Sequence, residues 1–307
     1  MVSTIEDLFH PVVELPEPVR AERYRRLVGL DDIKYQLRRE AGLLADPRLL
    51  DEWAAEHHPG GLPALALFTD RAPLFVFAGD VGCGKTALAE SFGCDLADSL
   101  NLPVFLYRLK LTARGSGLVG EMTTLIGDAF THLLTRGRKA RDARGPGSVF
   151  ILVVDEADAL AQSRAAEQMH HEDRAGVDAL LAGVDTLAGE AVPVLVILCT
   201  NRERALDPAV LRRAAAIFHF SRPDQAQRHA VLAAALTGAG IDTAAISKLA
   251  ALTGPDGDRP GYTYSDLTQR LIPAAILTAF PDKPLTPDIL AAAVASTDPT
   301  PEFRQAP

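Results

Sequence analysis

The chain predicts an α/β protein in which a parallel sheet is flanked by helices and followed by a small helical subdomain. Three observations carry this. Short apolar runs at residues 74–78, 149–154 and 194–199, and a run at 104–109 broken only by Arg108, alternate with helical stretches, the pattern of strands buried on both faces by crossover helices. A glycine-rich turn follows the first of these runs directly, at Gly79. After Pro223 the strand signal stops and only helical patterning remains.

Taken in order, residues 1–20 are Pro-rich (Pro11, Pro16, Pro18) and read as an extended arm, too short for a recognition domain. Residues 21–45 are helical, with a break at Gly29, and Pro59-Gly60-Gly61 marks a loop. The strand at 74–78 leads to a helix at 86–100, a strand at 104–109 and a helix at 122–134. The strand at 149–154, a helix at 173–187 and the strand at 194–199 follow, with a candidate fifth strand at 217–220. Helices are expected at 224–237, 243–252, 265–280 and 287–295. The predicted organisation is an arm (1–20), an α/β core (21–221), a helical lid subdomain (222–296) and a tail (297–307).

Composition narrows the function classes. The 307 residues are 48% apolar and 23% charged, ordinary values for a globular protein. With 31 basic against 40 acidic residues the net charge is −9, which argues against a surface that coats nucleic acid or an anionic membrane. Cys83, Cys94 and Cys199 fit no zinc or disulfide spacing, so a reducing compartment is expected. The N-terminus does not read as a signal peptide, and no apolar run is long enough to span a bilayer. A cytoplasmic protein is expected.

Three motifs carry chemistry. Gly79-Asp80-Val81-Gly82-Cys83-Gly84-Lys85-Thr86 is GxxxxGKT between a strand and a helix. The glycines let the backbone turn so that successive N–H groups face phosphate oxygens, and the helix N-terminus adds its positive end. Lys85 is expected to reach the β- and γ-phosphates and Thr86 to hold Mg²⁺. Asp155 and Glu156 follow the third apolar strand at once, which delivers both carboxylates to the ligand-binding edge of the sheet. Asp155 is the candidate contact to Mg²⁺ through water, and Glu156 the general base for the attacking water. Asn201, at the end of the next strand, is placed to orient that water or to sense the γ-phosphate.

In this order, GDVGCGKT, VFILVVDEADAL, LCTNRERALDPAVLRR and GYTYSDL resemble an AAA+ ATPase, more narrowly the AAA clade with a second region of homology. The resemblance spans residues 21–296. It implies a P-loop NTPase fold, a ring, usually a homo-hexamer, with ATP between subunits, and hydrolysis coupled to remodelling or threading of a protein partner. It also implies that Arg212 or Arg213 is an arginine finger, that Val28 and Gly29 cradle adenine, and that Gly261 opens the third lid helix beside the nucleotide. Leu118-Val119-Gly120 takes the place of the pore loop, without its usual aromatic residue. Ala215 stands where many relatives have a second finger, and Tyr264 where they have Gly. The long segment after Asp128 and the RAGVDALLAGVDTL helix resemble the HORMA-domain-remodelling, meiotic-checkpoint-like branch, whose bacterial members accompany nucleotide-signalling antiphage systems.

Other signals weigh less. His170-His171-Glu172-Asp173 lacks the spacing of a helical zinc site and falls where a second pore loop is expected. Residues 136–144 hold five basic groups against Asp142, with no aromatic residues interleaved to stack bases. They are the feature a nucleic-acid motor or loader would use, the alternative to a protein remodeller. A nucleotide-switched scaffold is a third class, disfavoured by the intact Asp155-Glu156 pair. Cys83, inside the phosphate loop, predicts sensitivity to thiol reagents.

Overall fold

The computed structural model describes residues 8–69, 71–111, 121–142, 145–159 and 171–302, with backbone alone at 69, 121, 122, 159 and 171–174. Its strands are β1 (Val13–Leu15), β2 (Leu74–Gly79), β3 (Val104–Arg108), β4 (Arg141–Asp142), β5 (Gly145–Pro146), β6 (Val149–Val154), β7 (Val194–Thr200) and β8 (Ala216–Phe220). Its helices are α1 (Pro18–Arg26), α2 (Asp31–Ala45), α3 (Arg48–His57), α4 (Leu65–Thr69), α5 (Lys85–Leu100), α6 (Glu121–Ala140) and α7 (His171–Glu190). They continue with α8 (Pro208–Arg213), α9 (Gln225–Ala235), α10 (Thr243–Leu252), α11 (Ile272–Ala279) and α12 (Pro287–Ser296).

Six strands form one sheet in the order β1-β3-β6-β7-β2-β8. β2, β6 and β7 are buried almost throughout, whereas β1 and β8 at the two edges are only partly covered. That is why the central strands read as unbroken apolar runs and the edge strands hardly register. Parallel pairing sets Leu152 beside Val196 and Val76 beside Leu198, so that Ala78, Val154 and Thr200 end at one edge of the sheet. The residues expected to do chemistry follow those ends.

Two compact units emerge. One combines residues up to Arg25 with Asp32–Ala78 and Thr86–Phe218; the other combines Arg26–Asp31, Gly79–Lys85 and the residues from His219 on. In the first, α6 and α7 pack together over the sheet through Ile126, Phe130, Leu133, Val177, Leu180 and Val184. In the second, α9–α12 surround Leu232, Leu249, Tyr262, Leu267, Leu271 and Leu290.

The N-terminal arm differs from expectation. Val13–Leu15 is an antiparallel edge strand on β3, and Arg20 of α1 ion-pairs with Glu90 of α5 at 3.0 Å. Leu15 and Phe9 are buried, so the described part of the arm contributes to the first unit's core. α3 and α4 flank the expected loop at Pro59-Gly60-Gly61, in stretches for which the sequence predicts no element. The expected helix at 265–280 is divided: residues 266–271 form a π-turn, in which the Ile272 N–H bonds to Leu267 O, before α11 begins. Pro273 lies at the start of α11 and has no N–H to give to the preceding turn, so a regular ladder cannot run through.

Candidate nucleotide site

In the second unit the phosphate loop is fixed by close backbone approach. Gly79 has φ +147°, and a Cβ there would stand 2.0 Å from Phe220 O, so no side chain fits. Gly82 has φ +73°, and its missing Cβ would be 2.7 Å from Thr263 Oγ1. The Ser265 N–H donates to Gly82 O at 3.1 Å. Thr263 in turn is locked to Asp266: the Asp266 N–H donates to Thr263 Oγ1 and the Thr263 N–H to Asp266 Oδ2, each at 3.0 Å. Burial pushes the Asp266 carboxyl up, but hydrogen bonds from Thr263, Thr300 and Arg270 outweigh it and hold the group below its ordinary value. A fully buried carboxylate thus organises the segment that abuts Gly82.

Lys85 is only 6% exposed. Its Nζ donates to Gly79 O at 2.9 Å and to Asp80 O at 2.7 Å. An ammonium so placed needs acceptors, and phosphate oxygens are stronger ones than carbonyls. Asp80 Oδ1 accepts from the Val81 N–H at 2.8 Å, and Oδ2 meets Arg222 Nε at 2.7 Å. Arg222 Nη1 also donates to Gly261 O at 2.6 Å. Cys83 is fully buried, and burial, aided by the charge of Asp80, pushes its thiol up to about 11. The expectation of thiol sensitivity is therefore corrected: this sulfur is inaccessible and protonated at neutral pH.

The residues expected around adenine belong to the same unit. Val28 packs against the helical core, and Gly29 O accepts from Gln227 Nε2 at 2.8 Å. The Tyr264 hydroxyl stands 2.9 Å from where a Cβ of Gly29 would be, and burial pushes it up to about 12. Tyr264 thus replaces the expected glycine with a ring that closes on Gly29.

In the first unit, Thr86 Oγ1 donates to Asp155 Oδ2 at 2.9 Å, and Asp155 Oδ1 accepts from the Glu156 N–H at 2.9 Å. Both acids are exposed, and Glu156 has φ +51°, a left-handed backbone uncommon for this residue type. Asn201 is half-exposed in the bend after β7. Beside it, the buried Thr200 hydroxyl donates to Asp158 Oδ1 at 2.9 Å. On α8 the two candidate fingers differ. Arg213 makes a two-pronged bridge to Asp185 of α7, at 2.7 and 3.0 Å. Arg212 has no ion-pair partner among the described residues. Leu118 and Val119 lie outside the described residues, as do the side chains of the His170–Asp173 segment. Sequence reasoning missed Arg222 and Asp158. An acid inside a loop meant for a polyanion was the available signal that a cation must stand nearby.

Comparison with known proteins is decisive. The family model for the ATPase family associated with various cellular activities (AAA) matches residues 75–222. CD-NTase-associated protein 6 of Escherichia coli (strain MS 115-1) is 46% identical over 98% of this chain and 97% of its own length. This chain belongs to the AAA ATPase family. It is an ATP-binding, ATP-hydrolysing enzyme with the P-loop α/β fold. A second CD-NTase-associated protein 6, from E. coli (strain KTE188), is 38% identical over 91% of this AAA ATPase and 92% of its own length. Among solved structures, a chain of the E. coli MS115-1 HORMA:CdnC:Trip13 complex matches with TM-score 0.93 and 45% identity, over 98% of this chain and 99% of that one. Rhizobiales Trip13 matches with TM-score 0.77 and 40% identity, over 96% and 100%. Among the described residues, no helix is long and apolar enough to cross a membrane.

Proposed function

We propose that this AAA ATPase couples ATP binding and hydrolysis to remodelling, or partial unfolding, of a HORMA-domain protein in a bacterial defence system. The carrying observation is similarity along nearly the whole of both chains, to CD-NTase-associated protein 6 and to a chain solved together with HORMA and CdnC.

In this reading the loop at 79–86 holds the ATP phosphates, while Val28, Gly29 and Gly261 border the base. Thr86 and Asp155 offer hard oxygen donors converging within 2.9 Å. That donor set suits Mg²⁺, which keeps waters and takes its other ligands from phosphate. Among the described residues no cluster of three or more His, Cys, Asp or Glu side chains forms a metal cage. Mg²⁺ held by Thr86 and Asp155 would neutralise charge on the phosphates. Glu156 takes the proton of the attacking water, and Asn201 orients it. Because Asp185 already occupies Arg213, Arg212 is the finger that reaches a neighbouring subunit of a homo-hexamer. Leu118 and Val119 are the pore contacts to the threaded partner. The α/β core (21–221) and lid (222–296) act as one cytoplasmic module. The nucleic-acid alternative loses support in the basic segment, where Arg138 bridges Glu190 and Arg141 donates to Glu190 O and Ala191 O.

The test is capture with the Glu156→Gln variant. With ATP, it should retain a purified HORMA-domain protein from the same genome that wild type releases after turnover. No retention, together with ATPase activity stimulated by DNA and not by the HORMA protein, would refute the reading.

A further inference from the structure

The phosphate loop carries an acid at its second position. A carboxylate there opposes the binding of a polyanion, since like charges a few ångströms apart repel by several kcal/mol at the dielectric of a partly buried site. The chain does not leave Asp80 uncompensated. Arg222, two residues past the end of β8 and in the same compact unit, places Nε 2.7 Å from Asp80 Oδ2, with both side chains largely buried (13% and 17% exposed).

The same guanidinium reaches a second partner. Its Nη1 donates to Gly261 O at 2.6 Å, just before the Thr263–Ser265 segment that abuts Gly82. Its Nη2 is buried and has no hydrogen-bond partner among the described residues. Buried donors of charged groups are costly to leave unmade, so this fork has one donor in reserve for an acceptor that arrives with ligand or with its water.

We propose that Arg222 is a positioning residue for nucleotide binding: it neutralises Asp80 within the phosphate loop and, through Gly261 O, ties that loop to the entry of the lid. The proposal rests on the reading that the loop at 79–86 holds the ATP phosphates. Asp80 pulls its own loop into shape through the Val81 N–H, and Arg222 makes that acid compatible with a phosphate ligand. Lysine at 222 would keep the charge but not the two-armed geometry, because its single ammonium lacks the planar fork.

The experiment uses the full chain and a fluorescent ADP analogue, titrated in low and high salt, with the melting temperature of the nucleotide-free protein as a control. Arg222→Met should weaken binding about tenfold or more in low salt, and the loss should narrow in high salt, where the repulsion between Asp80 and the phosphates is partly screened. Adding Asp80→Asn to Arg222→Met should recover most of the lost affinity. Arg222→Lys should fall between Met and wild type. A merely structural arginine gives a different pattern: a lower melting temperature, no salt dependence of the loss and no rescue by Asp80→Asn. That pattern, or wild-type affinity in Arg222→Met, overturns the proposal. Lys85→Ala separates the two levels. If it binds the analogue as tightly as wild type, the phosphate-loop reading itself fails and the role of Arg222 falls with it.

Discussion

The phosphate loop and the acidic end of β6 are held in opposite ways. The loop is over-determined: Cys83 and Lys85 are buried, Gly79 stands where no Cβ fits, and Asp80 is gripped by Arg222. Asp155 and Glu156 are exposed, and the pair has a single described side-chain tie, from Thr86. On the proposed function, the difference separates binding from chemistry. The groups proposed to recognise phosphate are preorganised by the fold, which lowers the cost of binding. The groups proposed to act on water are left open, for completion by nucleotide, Mg²⁺ and a second subunit.

The largest effect tests the first half of this contrast. Lys85→Ala should abolish ATP binding in an equilibrium titration, because the loop loses its only buried ammonium while the acids at β6 are untouched. Binding at wild-type strength would erase the distinction between the two regions.

The second half is sharpened on α8. Arg212→Ala should leave ATP binding intact and cut steady-state hydrolysis by about a thousandfold, the lower range for loss of an arginine finger. Arg213→Ala breaks a half-exposed bridge to Asp185 and should cost under about 1 kcal/mol of stability, with a much smaller loss of rate. Equal losses in the two variants would mean that α8 acts as a scaffold and that partner occupancy does not single out the finger.

Glu156→Gln should keep binding and reduce hydrolysis by about a hundredfold or more, the scale of a lost general base. A rate measured with saturating ATP is the check, and near-normal turnover would move the base elsewhere. The left-handed backbone at Glu156 adds a physical reason to look here, since strain of this kind concentrates where a side chain must be aimed.

Most of this architecture was legible because the central strands are buried on both faces. Residues 149–154 and 194–199 could hardly be anything else, and the glycine pattern at 79–86 has a stereochemical cause visible in the letters alone. What stayed hidden depends on tertiary partners. Val13–Leu15 is three residues long and pairs only because β3 offers an edge. The π-turn at 266–271 arises from Pro273 and the bonds around Asp266. Nothing local marks Arg222 as the counter-ion of a residue 142 positions away. Likewise, Arg212 and Arg213 are equivalent in sequence, and only Asp185 on α7 tells them apart.

The smallest effect concerns Cys83 and probes how tightly the loop is packed. Burial and the charge of Asp80 raise its thiol from about 9 to about 11, so the folded loop favours the neutral sulfur. A raised folded-state value means that the stabilisation is fully present below the unfolded thiol's value near 9 and is lost as the pH rises through about 11. Melting temperatures of wild type should therefore fall more steeply between pH 9 and 11 than those of Cys83→Ser. At pH 8 the thiol is almost wholly protonated and inaccessible, so iodoacetamide should leave ATPase activity unchanged over a period that fully modifies the unfolded chain. Rapid inactivation would show that the loop opens readily. The contrast between a closed recognition half and an open chemical half would then have to be redrawn as two mobile regions.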